Sequence, residues 1–473
     1  MKKLPFIILV VLVLGAIASP AILGVSIKSD IRNEIENINA LTAYKITEVD
    51  YQSGWRNSEA TFQVELRGFD ELAAEQPEMA EFLDTFKVTT TIDIVHGPFL
   101  PGQGFGLASW TSYLHDLEYL RSYVEWDEDR HLFETTGWVG LNGDIHFQEF
   151  VPEINALDSA TINFHFGGYV SNGSSVDGYT LYSGESGNTE IYSPQGKLDI
   201  GPFSLEMNMA ATLDQALSGE LFDSSISFSI SEIKLQGMQT VELMNLGVSG
   251  DVEMQPGGQL ADLTARYSLE SLAAEALDIH EVTLEIGIDN YSNEFQKSYM
   301  EFSLANMSNI DIPTEAAEQF VLESLPLLLE PGPSFGIQQF AFTLPEGSFD
   351  SSLSIKLDPI TDLPANPLEN PIFWLDKVLA TFSLSADEEV IHKIVGYYIE
   401  EQAGESLDGL EKGERNAMVQ SQLQTLVGMA QGLGFVQLTD GKYTSKLLYD
   451  HGSAVVNGQP YALPFGAPPT STP

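Results

Sequence analysis

The sequence predicts a mainly β protein with a few helices (α+β), in which long curved antiparallel sheets carry one apolar face and one transmembrane helix precedes them. Three observations carry this reading. Apolar and polar residues alternate with period two along most of the chain. Helical spacing is confined to a few stretches. The N-terminus holds one apolar run of bilayer length.

That run comes first. In "MKKLPFIILVVLVLGAIASPAILGVSI", Lys2 and Lys3 precede an apolar segment from Leu4 to Ile27. About 20 apolar residues span a bilayer, and lysines before the run place the N-terminus in the cytoplasm. The competing reading is a cleaved signal peptide, with Ala16-Ile17-Ala18 as its processing site. Against cleavage, the apolar character continues through Ala21, Ile22, Leu23, Val25 and Ile27. The expectation is an uncleaved signal-anchor over residues 1–29, spanning at 5–27, with the rest of the chain exported. Residues 30–45 follow as an amphipathic stalk helix, with Ile31, Ile35, Ile38 and Leu41 on one face. The stalk would pack on the protein's own body or on a second copy.

Residues 46–360 read as a β-rich exported body. In "SEATFQVELR", Ala60, Phe62, Val64 and Leu66 alternate with polar residues. Phe86, Val88, Ile92 and Ile94 repeat the pattern before His96. So do Ile162, Phe164 and Phe166; Phe203, Leu205, Met207 and Met209; Leu263, Ala265, Tyr267 and Leu269; and Val282, Leu284, Ile286 and Ile288. Phe340, Phe342 and Leu344 precede Leu353, Ile355 and Leu357. About fifteen such runs are the signature of half-buried antiparallel strands. Helical spacing appears at 314–330, after Pro313 and interrupted by Pro326, and as a pair at 386–402 and 414–434 inside a mixed segment, 361–435. Terminal strands and a Pro-rich, disordered tail are expected over 436–473.

Composition narrows the function classes. The 473 residues hold no Cys, which excludes disulfides, thiolate metal sites and a Cys nucleophile. Lys and Arg number 21 against 68 Asp and Glu, a formal net charge of −47. Such a surface repels phosphate backbones, so nucleic acid is not an expected partner. The charge reads as a solvated surface.

Short stretches then invite chemical readings. His96 ends a strand-like run, and Gly97-Pro98 forces a turn, with a positive φ expected at Gly97. A structural His at a strand exit explains this without catalysis. Gly332 to Gly336 match G-x-S-x-G around Ser334, but a nucleophile elbow needs strand, turn and helix, and here a strand-like run follows. Asp127, Glu128, Asp129 and His131 lack a calcium-loop pattern and read as a solvated loop. His280-Glu281 lacks the second His of a zinc helix. No phosphate-binding glycine motif occurs. No catalytic, metal or cofactor residues are therefore assigned, and no enzyme is expected.

Three motifs bracket the chain: Asp50, Tyr51, Gly54 and Ser58 in D-Y-x-x-G-x-x-x-S; His96, Gly97 and Pro98; and Gly452, Asn457, Gly458 and Pro460 in G-x-x-x-x-N-G-x-P. In these the chain resembles the YdgA-like family, bacterial envelope proteins grouped as a domain of unknown function. The resemblance implies an inner-membrane anchor and an exported β-rich body, with the body in the periplasm, and carries no activity with it. The functional expectation is a non-enzymatic envelope protein whose sheet forms an apolar trough for lipid or another apolar ligand. Its lining would include Phe62, Val64, Ile92, Phe164, Phe166, Leu284 and Ile286, partly covered by the helices at 386–434. The alternative is a scaffold that binds itself or another envelope component. A hydrolase using His96 or Ser334 ranks third.

Overall fold

The computed structural model describes residues 28–29, 31–33, 35–36, 39, 44–66, 88–115, 120–157, 163–216, 219–237, 240–274, 277–306, 314–364, 367, 370–403 and 412–462. The expected membrane span at 5–27 lies outside them, as do Phe86, Ile162, Pro313 and the tail from 463. Among the described residues no helix is long and apolar enough to cross a membrane. The protein is mainly β, with large antiparallel sheets and few helices, as the alternation predicts.

The chain divides into two compact units. Unit 1 comprises 1–238 and 296–323, and unit 2 comprises 239–295 and 324–473. Alternation marks strand faces but not which strands share a sheet, so the boundary inside 46–360 has no local signal.

Unit 1 is a meander. Its strands are β1 (Tyr44–Ser53), β2 (Asn57–Leu66), β3 (Val88–His96), β4 (Phe99–Leu100), β5 (Gly104–Phe105), β6 (Ala108–His115), β7 (Val124–Glu125), β8 (Glu134–Val139), β9 (Ile145–Val151), β10 (Ile154–Ala156), β11 (Asn163–Phe166), β12 (Tyr169–Val176), β13 (Tyr179–Ser186), β14 (Thr189–Ser193), β15 (Gly196–Ile200), β16 (Phe203–Met209) and β17 (Ser224–Gln236). Tyr44 and Lys45, assigned by pattern to the stalk, already belong to β1. The ladder runs β1, β2, β3, β6, β8, β9, β12, β13, β16 and β17, each strand antiparallel to the next. A second stretch joins β7, β10, β11, β14, β15 and β17.

The two stretches belong to the same long strands. β16 and β15 pair with β17 in one register, Phe203 opposite Ile230 and Lys197 opposite Gln236. A seam of Gly and Pro interrupts them, with Pro152, Gly167-Gly168, Gly187 and Gly201-Pro202 on neighbouring strands. The backbones still pair across it: Gly167 N–H donates to Asn188 O at 2.7 Å and Gly201 N–H to Glu232 O at 2.7 Å. A Cβ on Gly187 would lie 2.5 Å from Gly167 O, so only glycine allows that approach. The core side of the sheet holds Ala60, Phe62 and Ile94, with small buried hydroxyls at Ser171, Ser175, Thr180 and Ser186.

Helices α1 (Leu213–Ala216), α2 (Asn293–Asn306) and α3 (Thr314–Leu329) follow in chain order. α2 was not foreseen, although its signals exist. Ser292 Oγ accepts the Phe295 N–H at 3.2 Å, an N-cap. Phe295, Tyr299 and Phe302 follow at helical spacing, and Phe302 stacks on Phe320 of α3 at 4.3 Å. α3 continues through Pro326. A proline there removes one helical hydrogen bond, and burial of Leu329 holds the last turn in place.

Unit 2 is a second meander: β18 (Thr240–Met254), β19 (Leu260–Ala274), β20 (Leu277–Ser292), β21 (Ser334–Leu344), β22 (Gly347–Leu357), β23 (Val378–Asp387), β24 (Gln437–Thr439), β25 (Lys442–Asp450), β26 (Ser453–Val456) and β27 (Gln459–Tyr461). β18 to β23 pair in order, and β25 then pairs with β23 on one edge and with β24 and β26 on the other. α4 (Pro371–Leu375) precedes β23, and α5 (Glu388–Ala403) and α6 (Lys412–Gly432) lie between β23 and β24. These last two are the expected helical pair, with ends shifted by one or two residues. Ile399, Val419 and Leu423 form a buried cluster between them, backed by Val395, Met418 and Val427.

Candidate functional site

The structure brings two of the three motifs together. β2 and β3 pair so that Ser58 faces Ile94 and Asn57 faces Val95. The His96 N–H donates to Arg56 O at 2.7 Å, and Ser58 Oγ lies 3.0 Å from His96 Nε2. A Ser–His pair at that distance could act as nucleophile and base. Here Ser58 is 4 % exposed and His96 1 %, so both are enclosed by the protein. The pair instead fixes the turn that follows. The Gly97–Pro98 peptide is cis. Gly97 does not have the expected positive φ; its requirement is steric. A Cβ there would sit 1.8 Å from Gly106 O, because the Gly97 N–H donates to Leu107 O at 2.7 Å. Gly54 has the same kind of reason, since its Cβ would lie 2.8 Å from Asn57 O. Asp50 accepts from Gln52, and Lys28 Nζ lies 4.4 Å from the centre of the Tyr51 ring.

The third motif builds two tight hairpins in unit 2. His451-Gly452 turn β25 into β26, and Asn457-Gly458 turn β26 into β27. All four have positive φ, at 46°, 89°, 50° and 79°, the signature of two-residue hairpin loops. The Asn457 side chain joins three segments. Its Oδ1 accepts the Lys446 N–H at 2.8 Å, and its Nδ2 donates to Gly434 O and Phe435 O at 2.9 and 3.2 Å. Pro460 sits opposite Val455 on β27, which pairs with β26 alone among the described strands. His451 Nε2 meets Asp358 Oδ2 at 3.0 Å, and its Nδ1 meets Asp450. Hydrogen bonds to Asp450 and then Asp358 raise the imidazole above its ordinary pKa.

The other candidates resolve into local structure. Ser334 opens β21 rather than a helix, and its Oγ donates to Asp289. Asp127 Oδ1 accepts the Asp129 N–H, and the His131 ring stacks on Tyr113 at 4.0 Å. His280 Nε2 contacts Asp278 at 2.9 Å. Among the described residues no group of three or more His, Asp or Glu could hold a metal ion.

The expected trough residues are divided between the two units. Phe62 is a core residue; Val64, Ile92, Phe164 and Phe166 are half-buried in unit 1, whereas Leu284 and Ile286 lie in unit 2. An apolar cleft exists elsewhere, beneath the helical pair of unit 2. It measures about 310 Å³ and is lined by Leu384 of β23, Ile391 and Val395 of α5, Leu426 and Val427 of α6, and Tyr443 of β25. Burial, with Glu388 nearby, raises the Tyr443 hydroxyl above its ordinary pKa and keeps it neutral. Its oxygen lies 3.4 Å from His392 Nε2 at the rim. The signal was present in the i, i+4 spacing of Ile391, Val395 and Ile399, which marks an apolar helix face without saying what it covers.

Unit 1 holds a larger, polar groove of about 840 Å³ on the solvent face of its sheet, including Asp93, Thr136, Trp138, Gln148 and Asn172. Behind it a hydroxyl network crosses the core face. Tyr182 donates to Glu149 at 2.6 Å, Ser171 donates to the same carboxylate oxygen at 2.9 Å, and the Tyr169 and Tyr182 oxygens are 2.6 Å apart. Burial first, and the Glu149 hydrogen bond second, raise the Tyr182 hydroxyl.

No solved structure matches the chain. Protein YdgA of Escherichia coli (strain K12) is similar, with 23 % identity over 349 residues, covering 70 % of this chain and 68 % of that protein. The profile of a family described as bacterial protein of unknown function (DUF945) matches residues 1–464, so the chain belongs to that family.

Proposed function

We propose that the protein is a non-enzymatic envelope protein, anchored in the bacterial inner membrane by residues 5–27 with its body in the periplasm, and that it binds an acyl chain or similar apolar ligand. The single observation that supports ligand binding is the cleft under α5 and α6. At about 310 Å³ it is at the lower end of ligand-pocket sizes, about 300 to 1,000 Å³, and its walls are aliphatic and aromatic. The burial of the Ser58–His96 pair and the strand after Ser334 speak against hydrolysis.

The test uses the full chain in nanodiscs with a photoactivatable fatty acid. Crosslinks are expected on α5 and α6, and Val395→Glu should abolish them while Leu433→Glu leaves them intact. Crosslinking that ignores Val395→Glu refutes the pocket. Protease added to spheroplasts should digest the body, and a protected body refutes the topology. A second reading has its own observation: Ile394, Tyr397 and Met429 are exposed on the same helices, outside the lining of the cleft. They would suit a protein partner in a scaffold role, which stoichiometric co-purification without lipid would favour.

A further inference from the structure

One end of unit 1 collects exposed apolar side chains. In an antiparallel meander alternate turns share an end. The turns β1–β2, β3–β6, β8–β9, β12–β13 and β16–β17 therefore lie together. The first three carry Trp55 (57 % exposed), Phe99 and Phe105 (62 and 65 %), and Leu141 (59 %). Phe99 and Phe105 face each other across the β4–β5 hairpin, edge to face at 5.1 Å. Arg56 Nη2 donates to Phe99 O at 3.1 Å, which ties the Trp55 turn to that hairpin. The buried Ser58–His96 pair and the close Gly97–Gly106 approach hold both turns in place from below. Two motifs that carry no chemistry thus share one product, a rigid aromatic tip.

The path of the N-terminal residues says what this tip meets. Lys28 lies on Tyr51, near the β1–β2 turn; Arg32 pairs with Glu48 at 2.7 Å; and Asn39 bonds Ile46, farther along β1. The contacts move away from the turn as the chain advances. Lys28 is the residue after the apolar run, so that run joins the body at the end that bears Trp55, Phe99 and Phe105. Aromatic side chains at such a junction suit the headgroup layer, and Lys28 and Arg56 offer cations to lipid phosphates there in a chain of formal net charge −47. Asp177, on the β12–β13 turn, marks the outer limit of the surface.

We propose that the Trp55–Phe99–Phe105 tip is a membrane-contact surface, seated in the headgroup layer of the bilayer that holds the N-terminal run, so that it orients unit 1 on that bilayer. This rests on the anchor reading above. The chain has no Cys, so Gln103→Cys places a single fluorophore in the β4–β5 turn of the full chain, and Asn142→Cys provides a second reporter at the same end. Glu185→Cys, exposed on β13 about 20 Å from its turn, is the water control. In nanodiscs containing headgroup-nitroxide lipid, the labels at 103 and 142 should be quenched several-fold more than the label at 185. A chain that resists alkaline extraction from the bilayer while all three labels are quenched equally overturns the proposal and leaves the anchor standing. A chain that washes off the bilayer overturns both.

Discussion

Replacing Gly97 by Ala tests whether steric approach, rather than backbone conformation, dictates the glycine. The new Cβ would sit 1.8 Å from Gly106 O and 2.9 Å from Leu107 O, against the 3.0 Å that real Cβ atoms keep. Both neighbours are backbone, so the 106–107 segment must retreat by about 1.2 Å. That movement stretches the Gly97 N–H to Leu107 O and Gly106 N–H to Pro98 O bonds, now 2.7 and 3.2 Å. Each is worth about 1 kcal/mol net. The same movement loosens packing on Leu100, which is fully buried. Overpacking of this kind adds about 1 to 3 kcal/mol, for a total of about 3 to 5 kcal/mol. Gly102→Ala is the control: its φ is +78° and nothing lies within 4 Å of its Cβ, so only the left-handed backbone term of about 1 to 2 kcal/mol applies. Urea unfolding followed by tryptophan fluorescence reads both, with Trp110 and Trp138 reporting from the neighbouring strands. A Gly97→Ala variant within about 0.5 kcal/mol of wild type would refute the reasoning.

Asn457 should be the most sensitive turn residue of unit 2. Asn457→Ala loses three hydrogen bonds and strains a residue with φ of 50°, for about 4 to 5 kcal/mol in denaturant unfolding; Asn457→Gly should recover about 1 kcal/mol of that, and equal losses would show that φ does not matter. His451 gives unit 2 a pH dependence. Its folded pKa is raised, so its stabilisation is complete below the ordinary His value and is lost as pH rises through the raised one. Melting temperature should therefore fall across that window by more in wild type than in His451→Gln, and parallel curves would count against the Asp358–His451–Asp450 bridge.

Much of the fold was legible because its code is local. Period two placed Ala60, Phe62, Val88, Ile92 and Ile94 on strands, and Asn457-Gly458 is a turn pair by its residue types alone. α2 escaped because its apolar positions are aromatic and sit between polar residues, so the cap at Ser292 was the only strong cue. The long runs were legible as strands but not as interrupted ones, since Gly167-Gly168 and Gly201-Pro202 read as ordinary turns when each strand is taken alone.

The sequence by itself determined the strand faces, the hairpin turns, the apolar N-terminal run and the absence of thiol chemistry, since each depends on residues within a few positions of one another. Only the tertiary structure decided that Ser58 and His96 meet, why Gly97 must be glycine, that the strands sort into two units, and that an apolar cleft lies under α5 and α6. The physical reason is the same in each case. Which side of a strand is apolar follows from the pleat, but what that side touches depends on partners tens to hundreds of residues away, and no local period encodes them.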